Sequence, residues 1–180
     1  MNYVSVVSRL VTMENFAAPG DFVDAARQGW AKARPELDVS SIEVMGRITR
    51  IGALVTQRVE HDLAPEDITR AEFDLLCTLA RSGRPLRASE VTAATMLSGA
   101  STTKNADRLA RRGLIERLPS ERDGRVVLLQ LTADGHALVD RTFPNFLARD
   151  QELLSGLTAR EQAALAELLR KVAMNLEVRH

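Results

Sequence analysis

Apolar residues recur at three- and four-residue steps along most of the chain, a spacing that predicts helices. From Asp21, the segment DFVDAARQGWAKA carries Phe22, Ala25, Ala26 and Trp30 close to helical spacing. Arg34-Pro35 closes it, since the residue before a proline is pushed out of the helical region. A longer helix is predicted from Ser41 to about His61, with Ile42, Met45, Ile48, Ile51, Val55 and Val59 on one side and Arg47, Arg50 and Arg58 on the other. Thr69 and Glu72 fit a capping box opening a short helix through Phe73, Leu75, Leu76, Leu79 and Ala80, which Ser82-Gly83 ends. Near the C-terminus, Thr132 is the expected N-cap of a helix through Ala137, Leu138, Val139 and Phe143, which Pro144 should kink or interrupt. A second capping box, Thr158 to Glu161, opens a last helix with Leu165, Leu168, Leu169, Val172 and Leu176 as its apolar stripe.

Between these arms the pattern changes. After Pro85-Leu86-Arg87, two short helical segments meet at a turn near Met96–Gly99, and the second closes on Gly113. A strand-like LIERL, a basic loop around Asp123-Gly124 and a second strand, VVLLQL, follow. Helix, turn, helix, hairpin is the order of a winged helix-turn-helix. The fold expected is therefore mainly α with a small β-wing: a winged helix-turn-helix flanked by N- and C-terminal dimerisation helices. The divisions expected are a flexible N-terminal extension (1–20), N-terminal helices for dimerisation and an effector pocket (21–64), a reading unit (65–133) and C-terminal dimerisation helices (134–180). Met13 offers an alternative start, with a native docking N-terminus as the competing reading of residues 1–12. A reading unit of this size cannot cover both apolar stripes, so a second copy is the simplest partner, giving a twofold dimer.

Composition sharpens this picture through charge. The formal net charge is zero, yet residues 81–125 hold ten Lys/Arg against five Asp/Glu, a local +5 that leaves −5 elsewhere. A basic segment between neutral-to-acidic arms is the footprint of a nucleic-acid reader. The expected partner is double-stranded DNA carrying a palindromic operator. Cys77 is the sole cysteine and the three histidines are scattered, so neither a disulfide framework nor a metal site is expected, and no cofactor. No apolar run reaches a membrane span and MNYVSVVSRLV lacks a secretion signal's build, which predicts a cytoplasmic protein with no membrane partner.

The candidate DNA-reading residues follow from the element order. Ser98 should cap the recognition helix, whose first turns hold Ser101, Thr102, Thr103, Lys104 and Asn105, the hydroxyl, amide and ammonium groups that read base edges or hold phosphates. Leu109 and Leu114 supply its inward face. Arg122 and Arg125 flank the wing tip, suited to a narrow minor groove, with Asp123 placed to hold one of them. Arg87, Arg111, Arg112 and Arg117 are candidates for phosphate contacts that set register.

The runs SGASTTKNADRLARRGLIER, DGRVVLLQLT and the ADG that follows resemble the MarR (multiple antibiotic resistance regulator) family, over roughly Trp30 to the C-terminus. The resemblance implies a homodimeric repressor with interlocked terminal helices, a recognition helix at 98–112 and a wing at about 115–131. Lys104-Asn105 and Ala110-Arg111 depart from the Asn-Arg and Leu-Glu frequent in relatives, which bears on the operator and not on the fold. The stretch Trp30 to Asp38 resembles the added helix of a branch that includes urate-responsive repressors. That likeness implies a site for a small anionic aromatic effector, such as urate or a phenolic acid, lined by Trp30, Asp74 and Arg108. Core packing of Trp30 and a structural Asp74–Arg108 ion pair is the competing reading. Two other functions compete: a redox-responsive regulator acting through Cys77, and a winged-helix protein-interaction module without DNA binding. An enzyme is not expected, since no nucleophile–base pair, phosphate loop or HExxH motif occurs.

Overall fold

The computed structural model describes residues 20–120 and 126–177. In chain order these form α1 (Phe22–Ala33), α2 (Ile42–Leu63), a 3-10 turn (Ala64–Glu66), α3 (Arg70–Ser82), β1 (Leu86–Arg87), α4 (Ala88–Thr95), α5 (Gly99–Arg111), β2 (Ile115–Pro119), β3 (Val127–Leu131), α6 (Ala133–Leu153) and α7 (Ala159–Glu177). The chain divides into two compact units, 1–58 and 59–180. Among the described residues, no helix is long and apolar enough to cross a membrane. Of the expected N-terminal extension, residues 1–19 lie outside the described residues.

In the first unit, α1 starts where a carboxylate can satisfy its open N–H groups. Asp21 accepts from the backbone N–H groups of Val23 (2.8 Å) and Asp24 (3.1 Å), and Asp24 accepts in return from Asp21 N–H. Arg34 caps the other end, ahead of Pro35. The helix buries Val23; Trp30 is about half exposed. Arg47 of α2 bridges both capping carboxylates, and Arg50 lies 4.3 Å over the Phe22 ring. Val44, Met45, Ile51 and Leu54 of α2 remain exposed.

In the second unit, the predicted capping boxes at Thr69–Glu72 and Thr158–Glu161 both form. Helix α3 turns Phe73, Leu75, Leu76 and Leu79 into a core completed by Val91, Leu109, Ile115, Leu131 and Leu138. Gly83 and Gly113 adopt φ of +62° and +70°, left-handed turns that release the chain from α3 and α5. Met96 holds the turn into α5 at φ +57°, with its side chain almost wholly exposed. The sheet is antiparallel in the order β1-β3-β2, with Ile115 opposite Leu131 and Leu86 opposite Leu129. β1 has only two residues, too few to show a sequence alternation.

Of the kink or break expected at Pro144, the break does not occur: α6 runs through it from Ala133 to Leu153. A proline removes one donor only, the N–H that would reach the Asp140 carbonyl. The second half of the helix is also anchored: Phe146 packs on Phe73 with centroids 4.8 Å apart, and Arg149 pairs with Asp62. Tertiary contacts outweigh the local defect. Phe143, Leu147 and Leu153 of α6 and Leu168, Leu169, Met174 and Leu176 of α7 are left exposed.

Candidate nucleic-acid interface

Helix α5 begins at Ser98, whose Oγ accepts from the Ser101 N–H at 3.2 Å. The inward face is set by Thr102, Ala106 and Leu109, all buried. Outward stand Ser98, Gly99, Ala100, Thr103, Lys104 and Arg111, all exposed, with Ser101 and Asn105 half-buried at the edge. Thr103 Oγ1 donates back to the Gly99 carbonyl (3.0 Å), and Asn105 Nδ2 donates to Ser101 Oγ (3.4 Å). The exposed N-terminus therefore offers open N–H groups, hydroxyls and one ammonium on a single surface, the chemistry that accepts phosphate and base edges.

Thr102 is placed elsewhere. It is fully buried, and Thr92 Oγ1 donates to its Oγ1 at 2.9 Å. The pair welds α4 to α5, so this hydroxyl positions the helix and does not face outward. The helical period puts residue 102 on the Ala106–Leu109 side, a signal readable before the fold was known.

The arginines divide in two. Arg87 and Arg111 are exposed, as is Lys104, and none forms an ion pair among the described residues. Arg87 shares a groove of about 690 Å³ with Arg84, Ser89 and the foot of the wing at Leu118 and Ser120. Arg84 bonds Glu90 at 2.7 Å, and that guanidinium holds the Glu90 carboxyl below its ordinary range. Arg117 pairs with Asp107. Arg112 turns away from the exposed face and donates to the carbonyls of Glu66 (2.8 Å) and Asp67. The wing-tip candidates Arg122, Asp123 and Arg125 lie outside the described residues.

The residues assigned to an effector also have partners. Asp74 takes both of its bonds from Arg70 Nε, at 3.0 Å each. Arg108 bonds Glu72 (3.0 Å) and Asp67 (3.0 Å), so the Asp74–Arg108 ion pair does not form. Glu72 was legible in the sequence only as a helix cap, and Asp67 carried no motif. Cys77 is half-buried against the core, and burial pushes its thiol up to about 11, far from the thiolate that redox sensing requires. Among the described residues, no group of His, Cys, Asp and Glu is arranged to hold a metal ion.

Comparison with known proteins agrees with this geometry. The MarR family profile matches residues 66–126, from the 3-10 turn to the wing. The regulator PecS of Dickeya dadantii is 32% identical over 151 residues, 83% of this chain and 91% of the relative. A structure of an Escherichia coli MarR mutant complexed with operator DNA superposes with a TM-score of 0.63 at 31% identity, covering 79% of this chain and 96% of that one. Bordetella bronchiseptica BpsR, whose DNA binding is regulated by 6-hydroxynicotinic acid, superposes with a TM-score of 0.63 at 30% identity, over 72% of this chain and 92% of its own. With its buried α4–α5 pair, its exposed recognition-helix N-terminus and its three-stranded wing, this chain belongs to the MarR family of transcriptional regulators and is not an enzyme.

Proposed function

We propose that the chain is a homodimeric repressor that binds a palindromic operator through α5 and the wing and leaves it when a small anionic aromatic ligand binds. One observation carries the DNA half: Thr103, Lys104 and Arg111 are exposed along α5, behind its exposed Ser98 cap, while Thr102, Ala106 and Leu109 lock the other face into the core. The MarR mutant in complex with operator DNA supports the same use of the fold. Dimerisation is supported by the exposed apolar side chains on α6 and α7, which a second copy would cover. The proposed division is dimerising arms at 21–64 and 134–180 around a reader at 65–133, working where the DNA is, in the cytoplasm.

Selection from a random duplex pool tests the DNA half. A palindrome with half-sites about one helical turn apart should emerge. Affinity for it should fall steeply with salt, the logarithmic slope close to −0.9 for each phosphate neutralised. A binding constant that ignores salt would exclude the electrostatic contacts proposed for Lys104, Arg87 and Arg111.

BpsR supports the ligand half, since its regulator is an anionic heteroaromatic acid. Titrating 6-hydroxynicotinate, urate and salicylate against the operator complex tests it: at least one should weaken binding, and Asp74→Asn should alter that response. Indifference to all three removes this ligand class. The redox reading finds no support in a thiol held at about 11.

A further inference from the structure

Arg108 of α5 and Arg112, the residue that caps its C-terminus, face the turn before α3. Arg108 Nη1 donates to Glu72 Oε2 at 3.0 Å, and its Nη2 donates to the Asp67 carbonyl (2.9 Å) and to Asp67 Oδ1 (3.0 Å). Arg112 donates to the Asp67 and Glu66 carbonyls. Glu66 in turn accepts from Arg141 of α6, at 2.6 and 3.2 Å. One thread of ion pairs and hydrogen bonds thus runs from α6, through residues 66–67, to the recognition helix and into α3.

The cost of this thread shows what it is for. The Glu72 side chain is 1% exposed, and its Oε1 has no hydrogen-bond partner among the described residues. A glutamine would close the capping box with Thr69 equally well, without a buried charge. A carboxylate adds one thing, a charge for Arg108. Asp67 is held at φ +50°, a left-handed conformation that most side chains avoid and that Gly, Asn and Asp adopt more readily. That conformation lets its carbonyl and carboxylate both face Arg108.

We infer that Arg108, backed by Glu72 and Asp67, is a positioning residue: it clamps the last turns of α5 and fixes the pitch at which the helix enters the groove. This rests on the DNA-reading role proposed for α5. Ala100 lies eight residues from Arg108, about 12 Å along the axis, so a tilt of about 5° at the clamp moves the reading end by about 1 Å. A displacement of that size spoils base hydrogen bonds and leaves looser phosphate attraction intact.

Hydrogen exchange on the full chain reads the clamp without DNA. Glu72→Gln should speed exchange of the amides at 66–69 and 106–113 about tenfold and leave Leu75–Leu79 unchanged. Unchanged exchange at 106–113 overturns the clamp. Should Glu72→Gln not fold, Asp67→Gly carries the same test, since that side chain is exposed and its φ suits glycine. On the operator selected by wild type, Glu72→Gln should weaken binding about tenfold with the salt slope unchanged, and Arg108→Ala combined with it should be no weaker than Arg108→Ala alone. If Arg108 instead held a phosphate, Arg108→Ala would reduce the slope by about one and the two effects would add, overturning the inference. Failure of wild type to bind duplex DNA would overturn the DNA reading, and the exchange data would still decide the clamp.

Discussion

Gly135→Ala tests the joint between wing and C-terminal helix, and the sequence alone predicts the wrong sign for it. Gly135 lies in the first turn of α6, where alanine improves helix propensity by at most about 1 kcal/mol. The fold reverses this. A Cβ at Gly135 would sit 2.0 Å from the Leu114 carbonyl oxygen and 3.1 Å from Leu131 Cδ2, whereas Cβ atoms essentially never approach a neighbour within 3.0 Å. The offending atom is backbone and cannot rotate away. It is held where Thr132 N–H donates to that same Leu114 carbonyl (3.2 Å) and Thr132 Oγ1 donates to the Gly113 carbonyl (2.6 Å). Separating α6 from residues 113–114 by about 1 Å costs roughly 3 kcal/mol in overpacking, and one loosened hydrogen bond adds about 1 kcal/mol. After the propensity gain, the net loss is about 3 kcal/mol, a fall in Tm of roughly 6–12 °C. Gly52→Ala is the control: Gly52 lies inside α2 with nothing within 4 Å of its Cβ position, so Tm should rise by a few degrees, for about 1 kcal/mol. Thermal melts of both variants against wild type decide the matter. A Gly135→Ala protein as stable as wild type would refute the close approach and with it the seating of the wing on α6.

Two further outcomes follow from the ionisable groups. With its thiol at about 11, Cys77 should alkylate at pH 8 about two hundredfold more slowly than free cysteine, and peroxide should leave operator affinity unchanged; peroxide inhibition reversed by a thiol would restore the redox reading. Glu66 is held below the ordinary carboxylate range, chiefly by its hydrogen bond to Arg141. A carboxyl depressed in the folded state contributes stability above its unfolded pKa, about 4.3, and loses it as pH falls through the lower folded value. Arg141→Gln should therefore shrink the drop in Tm between pH 5 and pH 3, and an acid limb identical to wild type would show that the pair contributes nothing.

Much of the architecture was legible because it is local. Capping at Thr69, Ser98, Thr132 and Thr158 needs one side chain and the backbone three residues on, so the spacing states it directly. The strands of the wing were equally plain. What failed was either short or remote. β1 is two residues paired with a strand more than forty positions away, and Pro144 is tolerated because Phe73 and Asp62 hold the helix beyond it. The candidate site shows the same division. Thr103, Lys104 and Arg111 are exposed as a helical period would leave them, while Arg112 also donates to the carbonyls of residues 66–67, and Arg108 took Glu72 in place of Asp74.

Taken by itself, the sequence determined the order of the helices and of the two wing strands, the helix starts and the basic segment, since each depends on periodicity or on composition within a few residues. The tertiary structure decided which polar groups are available. Thr102 and Arg108 are of the same chemical types as the exposed residues of α5, and only the packing of α4, α3 and the 66–67 turn against that helix removes them from its outer face. Side-chain type says what a group can bond, and the neighbours brought together by the fold decide what it does bond.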